Sequence, residues 1–284
     1  MSRDELRRVV RVELAEGSRV GRLDQGVVHV LDHDEPLRAL AGEGVVTEHL
    51  RLEDARLLPP IVAPEIWCAG VTYERSRDAR LEEARRGDGD VYSRVYEAER
   101  PELFLKDAQM RRTVGPGGTI GIRSDSQWNV PEPELGVVLG DRGEPVAVTA
   151  GNDVSSRDLE GENPLYLPQA KIFAGACAIG PALAVPDDWN APFAISLRIY
   201  AGDGAEIFSA ETSTAKMKRS PLELAEWLMR ENPVPSGSVL LTGTGLVPPD
   251  EYTLELNHVV EIEIEGIGIL RNTVARVGQD ANRD

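Results

Sequence analysis

Val260-Glu261-Ile262-Glu263-Ile264-Glu265-Gly266-Ile267-Gly268 alternates apolar and acidic side chains until its glycines. Successive side chains on an extended strand point to opposite faces, so such a run buries valine and isoleucine and leaves the glutamates to water. A helical period of 3.6 cannot sort them that way. The glycines supply the turn, and Val259 to Val277 reads as a half-buried antiparallel hairpin.

Upstream segments carry the same signature. Phe193 to Tyr200 and Ala205 to Ala210 form a second hairpin around Ala201-Gly202-Asp203-Gly204. Ile66 to Val71, Glu102 to Lys106, Thr119 to Arg123, Glu134 to Leu139 and Pro145 to Thr149 read as further strands. Gly115-Pro116-Gly117-Gly118 precedes a strand and lacks the Lys-Ser/Thr ending of a phosphate loop, so it reads as a turn. One helix start is well marked: Ser220-Pro221-Leu222-Glu223 combines capping-box spacing with proline at the first helical position, and the helix should end near Arg230. Glu74 to Glu97 is polar and Arg-rich, with Leu81, Ala84, Val91 and Val95 at helical spacing, and reads as one or two exposed helices.

The first 58 residues read as a small unit. Val9 to Leu14, Arg19 to Leu23 and Val27 to Leu31 look like short strands, Glu35 to Ala41 like a short helix, and Leu58-Pro59-Pro60 punctuates the chain. The expected organisation is a small β-rich N-terminal domain over 1–58 and a catalytic domain over 59–284. Many strands without regular strand–helix alternation argue against Rossmann and TIM folds and for a β-rich α+β fold with a rolled sheet.

Composition narrows the function. The chain has 284 residues and a formal net charge of −17, which argues against a nucleic-acid partner. No apolar run approaches a membrane span, and Met1 to Leu6 has no signal-peptide stretch, so a cytoplasmic protein with no membrane partner is expected. Cys68 and Cys177 match no metal or redox spacing and read as buried thiols. His29, His33 and His49 crowd the first fifty residues, with His258 far away. Together with the lack of a Gly-x-Ser-x-Gly elbow, this disfavours zinc and Ser-His-Asp chemistry.

The chemistry concentrates in Pro131-Glu132-Pro133-Glu134-Leu135-Gly136-Val137-Val138-Leu139. On a strand Glu132 and Glu134 share a face, and like charges that close call for a counter-ion unless water solvates them. Asp153, in Gly151-Asn152-Asp153-Val154, follows another strand at what reads as an Asn-Asp turn. Three oxygen ligands without sulfur or imidazole suit Mg²⁺, with Mn²⁺ as the other candidate. The competing reading is a solvated acidic edge.

Only Lys106, Lys171, Lys216 and Lys218 are lysines among 31 basic residues. Lys171 lies among small and apolar residues, where it is either a desolvated base or a lysine snorkelling from a strand start. Thr242-Gly243-Thr244 offers N–H and hydroxyl donors to an anion, or is an ordinary exit from a strand.

In order along the chain, Ala69-Gly70-Val71-Thr72-Tyr73, Phe104-Leu105-Lys106, Glu132-Pro133-Glu134-Leu135, Asn152 to Asp158, Lys171, Thr242-Gly243-Thr244 and Glu265-Gly266-Ile267-Gly268 resemble the fumarylacetoacetate hydrolase family. Arg100-Pro101-Glu102-Leu103-Phe104, Arg123 to Trp128 and Glu162 to Lys171 resemble its dehydratase branch, which acts on 2-keto-3-deoxy sugar acids. The resemblance implies a fumarylacetoacetase-like β-roll catalytic domain and a homodimer or dimer of dimers. It implies Mg²⁺ on Glu132, Glu134 and Asp153, with Lys171 and Glu102 as acid/base residues. Thr244, Thr72 and Lys106 would hold the substrate.

The reaction implied is conversion of 2-dehydro-3-deoxy-pentonate to 2,5-dioxopentanoate through a metal-stabilised enolate, a step of pentose catabolism. Hydrolases of the family carry histidine three residues after the motif tyrosine to activate water, whereas Tyr73 is followed at that distance by Ser76. The alternatives are a hydrolase or decarboxylase of another 2-oxo acid, such as an acylpyruvate or oxaloacetate, and a non-catalytic scaffold.

Overall fold

The computed structural model describes residues 6–74 and 90–276, without the side chains of residues 90–92. The readings made on Met1 to Glu5, on Leu81 and Ala84, on Ser76 and on Val277 lie outside the described residues.

Two sheets pack face to face. The smaller one orders Glu206–Ser213, Ala194–Tyr200, Val259–Ile264, Gly268–Arg276 and Thr119–Ile122 side by side. The alternating run behaves as its pattern dictates: Val260, Ile262 and Ile264 are buried, while Val259, Glu261 and Glu263 are half-exposed. The buried residues join Ile195, Leu197, Ile199, Leu270 and Val274 to make one side of the main core.

Leu135, Val148 and Ala150 of the long sheet make the other side of that core. The long sheet has twelve described strands, with Cys177–Val185, Pro145–Asp153, Pro133–Leu139, Val239–Leu241, Glu65–Gly70 and Glu102–Ala108 adjacent in that order. Pro133–Leu139 is buried at every position because the sheet is covered on both faces. The helix Pro221–Met229 contributes Leu224, Ala225 and Leu228 to that covering, against Val137, Leu139 and Leu240. Its start is the expected one: Ser220 Oγ accepts from the Glu223 N–H at 3.1 Å.

The N-terminal strands Arg7–Leu14, Gly17–Asp24, Val27–Leu31 and Val46–Arg51 extend the same sheet, through pairing of Arg7–Leu14 with Cys177–Val185. No described helix is long and apolar enough to cross a membrane.

Two local readings need correction, and one strand is added. Asn152 and Asp153 are not a turn but the last residues of the strand Pro145–Asp153. Their turn propensity is overridden by pairing on both sides, with Pro133↔Asn152 and Asp153↔Cys177 in register. Lys171 ends a short helix, Leu167–Lys171, rather than starting a strand, and is buried rather than snorkelling. The strand Cys177–Val185 is absent from the sequence reading, because Gly180-Pro181 interrupts it with the residues least suited to a ladder.

Candidate metal centre

Strand register assembles the site. Glu132 lies one residue before the strand Pro133–Leu139, and its carbonyl accepts from the Asp153 N–H at 3.0 Å. Its own N–H donates to Asn152 Oδ1 at 3.1 Å. These cross-strand bonds bring Glu132, Glu134 and Asp153 together: one carboxylate oxygen from each lies within 4.8 Å of the others. All three are buried.

Three buried basic residues surround the carboxylates. Lys171 Nζ donates to Glu132 Oε2 at 2.6 Å, Asp153 Oδ2 at 3.0 Å and Ser155 Oγ at 2.6 Å. Lys106 pairs with Asp153 Oδ1 and donates to the Val154 carbonyl at 3.0 Å. Arg157 Nη2 donates to Glu132 Oε1 at 2.8 Å. A fourth buried carboxylate, Glu160, stands 4.0 Å from Lys171 Nζ. The described cluster therefore sets four carboxylates against three cations.

That imbalance falls on Glu134. Burial pushes its carboxyl well above the ordinary range, the charges of Asp153 and Glu132 add to the rise, and Lys171 and the Gly243 N–H only partly offset it. The Gly243 N–H reaches Glu134 Oε2 at 2.6 Å. It stands at φ +91°, a backbone geometry suited to glycine, and directs the donor expected of this loop to a carboxylate of the protein itself. Burial, together with the charge on Glu134, also pushes the Tyr73 phenol upward. Cys68 and Cys177 are free and buried, with Cys177 pushed up to about 12 by burial.

The donor set passes the test for a hard divalent cation. It is all oxygen, converging and buried, and it is one positive charge short.

Glu132, Glu134, Asp153, Lys106 and Lys171 thus come into one cluster. The Thr72 hydroxyl donates to the Thr242 carbonyl at 2.7 Å. The Thr244 hydroxyl is engaged with the Leu246 N–H and carbonyl, both at 3.1 Å. Glu102 is half-buried and pairs in register with Gly70, across whose backbone its carboxylate lies. Arg157, Glu160 and Ser155 went unassigned in the sequence. Arg157 lies inside the Asn152 to Asp158 stretch, and its spacing from Glu160 puts both on one face of the helix Arg157–Glu162.

Residues 65–275 match the model of the fumarylacetoacetate (FAA) hydrolase C-terminal domain. The chain belongs to the fumarylacetoacetate hydrolase family. Residues 7–60 match a second family model, described as Rv2993c-like, N-terminal. A probable 2-keto-3-deoxyxylonate dehydratase of Haloferax volcanii is 50% identical over 225 residues, 79% of this chain and 76% of that protein. The 2-dehydro-3-deoxy-D-arabinonate dehydratase of Saccharolobus solfataricus is 38% identical over 273 residues, 93% of this chain and 91% of that protein. Among solved structures, 2-keto-3-deoxy-D-arabinonate dehydratase complexed with magnesium and 2,5-dioxopentanoate superposes with a TM-score of 0.82 at 36% identity, covering 95% of this chain and 99% of that one.

Proposed function

We propose that this family member is a Mg²⁺-dependent hydro-lyase that converts 2-dehydro-3-deoxy-pentonate to 2,5-dioxopentanoate. The observation that carries the reading is the buried Glu132–Glu134–Asp153 cluster with Lys171 bonded into it, in a chain whose relatives carry dehydratase names. Glu132, Glu134 and Asp153 hold the cation, Mg²⁺ or in its place Mn²⁺. When bound, the cation supplies Lewis acidity at the substrate's 2-oxo oxygen, which acidifies the C3 protons.

The protein's own groups move the protons. Lys171 is buried, and its Nζ is held in place by donating to Glu132, Asp153 and Ser155; as an ammonium it can give a proton, and it can take one only after losing one of its own. Glu102 is its partner in this reading. One of the two takes a C3 proton and the other protonates the departing C4 hydroxyl, so that water leaves and a C3=C4 double bond forms. Transfer of a proton from C5 to C3 leaves a C4=C5 enol, which tautomerises to the aldehyde. Thr72, Thr244 and Lys106 hold the substrate's carboxylate and hydroxyls.

Hydrolysis of an acylpyruvate is disfavoured by Ser76, which offers no imidazole for activating water. Decarboxylation of oxaloacetate would use the same cation site. Four further features belong to the proposal. These are a homodimer or dimer of dimers, a cytoplasmic location, a place in pentose catabolism and a division into 1–58 and 59–284, which the two separate family matches support.

The test is incubation of the purified chain with 2-dehydro-3-deoxy-pentonate and Mg²⁺, with and without EDTA, following 2,5-dioxopentanoate. EDTA-sensitive product is expected. A folded, metal-loaded protein that forms none would overturn the substrate assignment and turn attention to oxaloacetate and acylpyruvates.

A further inference from the structure

Val71 adopts φ +53°, the left-handed region in which a β-branched residue is a genuine outlier. Such a conformation persists only where its surroundings over-determine it. Here they do so on both sides.

On the outer side, the Val71 side chain is buried against Val95 and Tyr96 of the helix Asp90–Glu97. That helix is gripped in turn. Lys218 donates to the Tyr96 carbonyl and pairs with Glu97 at 2.9 Å, and Arg219 donates to the Ala98 carbonyl. On the inner side, the Thr72 carbonyl accepts from the Lys218 N–H at 2.9 Å, and Tyr73 bridges Met217.

The Thr72 hydroxyl then reaches the Thr242 carbonyl at 2.7 Å, and the next N–H along the chain, that of Gly243, holds Glu134. Contact between Thr72 and Gly243 is tight enough that a Cβ on Gly243 would fall 2.0 Å from Thr72 Oγ1. The line is unbroken from the outer helix to a carboxylate of the buried cluster.

We infer that Val71 is a positioning residue for the metal centre: the packing of the helix Asp90–Glu97 on its side chain fixes the Thr72–Gly243 contact that aims Glu134. Glycine would adopt this backbone geometry without strain, so the valine side chain serves the contact with the helix. The inference rests on the reading of the three carboxylates as a divalent-cation site. Groups that orient metal ligands typically change affinity 10- to 100-fold when removed.

The test is Mn²⁺ titration of the full chain without substrate, read by electron paramagnetic resonance, on the parent, Val71→Gly, Val71→Thr, Val95→Ala and Thr72→Val. Circular dichroism and melting are recorded in parallel. Val71→Gly and Thr72→Val should weaken Mn²⁺ binding about tenfold with the fold retained. Val71→Thr, which keeps the branched shape, should bind within about twofold of the parent. A purely structural role would change the melting temperature and leave the affinity alone, and parent-like affinity in a folded Val71→Gly overturns the inference. If Val71→Gly does not fold, Val95→Ala decides by the same readout, since it strips the helix side of the same contact and leaves the Val71 backbone as it is. A parent chain that binds no Mn²⁺ is a different result: it overturns the metal reading, and this inference with it.

Discussion

Lys171 Nζ and Glu132 Oε2 meet at 2.6 Å with side chains only 2% and 4% exposed. A pair removed from water this completely is held by what surrounds it. Lys171 also reaches Asp153 and Ser155, and Glu132 also accepts from Arg157. The ammonium therefore acts as a stand-in countercharge within the carboxylate cluster as well as a candidate proton carrier.

Replacing Lys171 by methionine keeps its volume and removes its charge. Turnover should fall by at least 10³-fold on the scale of a lost acid/base group combined with lost positioning. Unfolding in EDTA should become about 3–5 kcal/mol easier, because buried carboxylates lose their partner. Mg²⁺ should restore part of that stability and none of the turnover. Denaturant melts with EDTA and with Mg²⁺ check the first part, and product formation checks the second.

Glu134 should behave in the opposite way. Burial and two neighbouring carboxylates disfavour its charged form, so Glu134→Gln removes a disfavoured charge and keeps an acceptor for the Gly243 N–H. The variant should be at least as stable as the parent in EDTA. Mg²⁺ at about a hundred times its Kd should stabilise the parent by about 2.7 kcal/mol and leave the variant where it was. A variant that Mg²⁺ stabilises as much as the parent would remove Glu134 from the cation's ligands.

Much of this arrangement is legible in the sequence because two signals are local. Alternation in Val260 to Glu265 depends on nothing but strand geometry, and the Ser220 cap depends only on its own helix. Lysine is so scarce that Lys106 and Lys171 draw notice, and both lie in the buried cluster. What escapes reading depends on neighbours. Asn152 and Asp153 are turn formers by propensity and become strand residues only between two paired strands. Arg157 and Glu160 sit on a short charged helix that any default places in water, and they are buried because the cluster supplies their partners.

Asp158 gives the pH dependence a definite sign. Burial alone would raise its carboxyl, but hydrogen bonds from the Ser126 hydroxyl, the Gln127 N–H, the Ser156 hydroxyl and the Leu159 N–H outweigh it and bring it below the ordinary value. A carboxyl depressed in the folded state adds stability that is present above its unfolded pKa and is lost as pH falls through the folded one. Asp158→Asn should cost about 1–2 kcal/mol at pH 7, toward the lower end because the group is only partly buried. The gap from the parent should stay constant down to about pH 5 and close below about pH 4. Urea melts of both proteins across that range check it, and a gap that widens toward acid would contradict the assignment.

Gly243 and Gly204 separate backbone strain from crowding. They have nearly the same backbone, φ +91° and φ +88°. A Cβ on Gly204 meets nothing within 4 Å, whereas one on Gly243 would fall 2.0 Å from Thr72 Oγ1 and 2.9 Å from the Ala69 carbonyl oxygen. Gly204→Ala should therefore cost only the left-handed penalty, about 1 kcal/mol. Gly243→Ala adds overpacking and should cost about 3 kcal/mol in all. It also pushes on the loop whose N–H holds Glu134, so turnover should fall in Gly243→Ala and stay at the parental level in Gly204→Ala. Urea melts paired with initial rates on the two variants separate these effects. Equal stability costs would mean that the Thr72 side chain yields freely, and the close contact would then constrain neither the loop nor the carboxylate behind it.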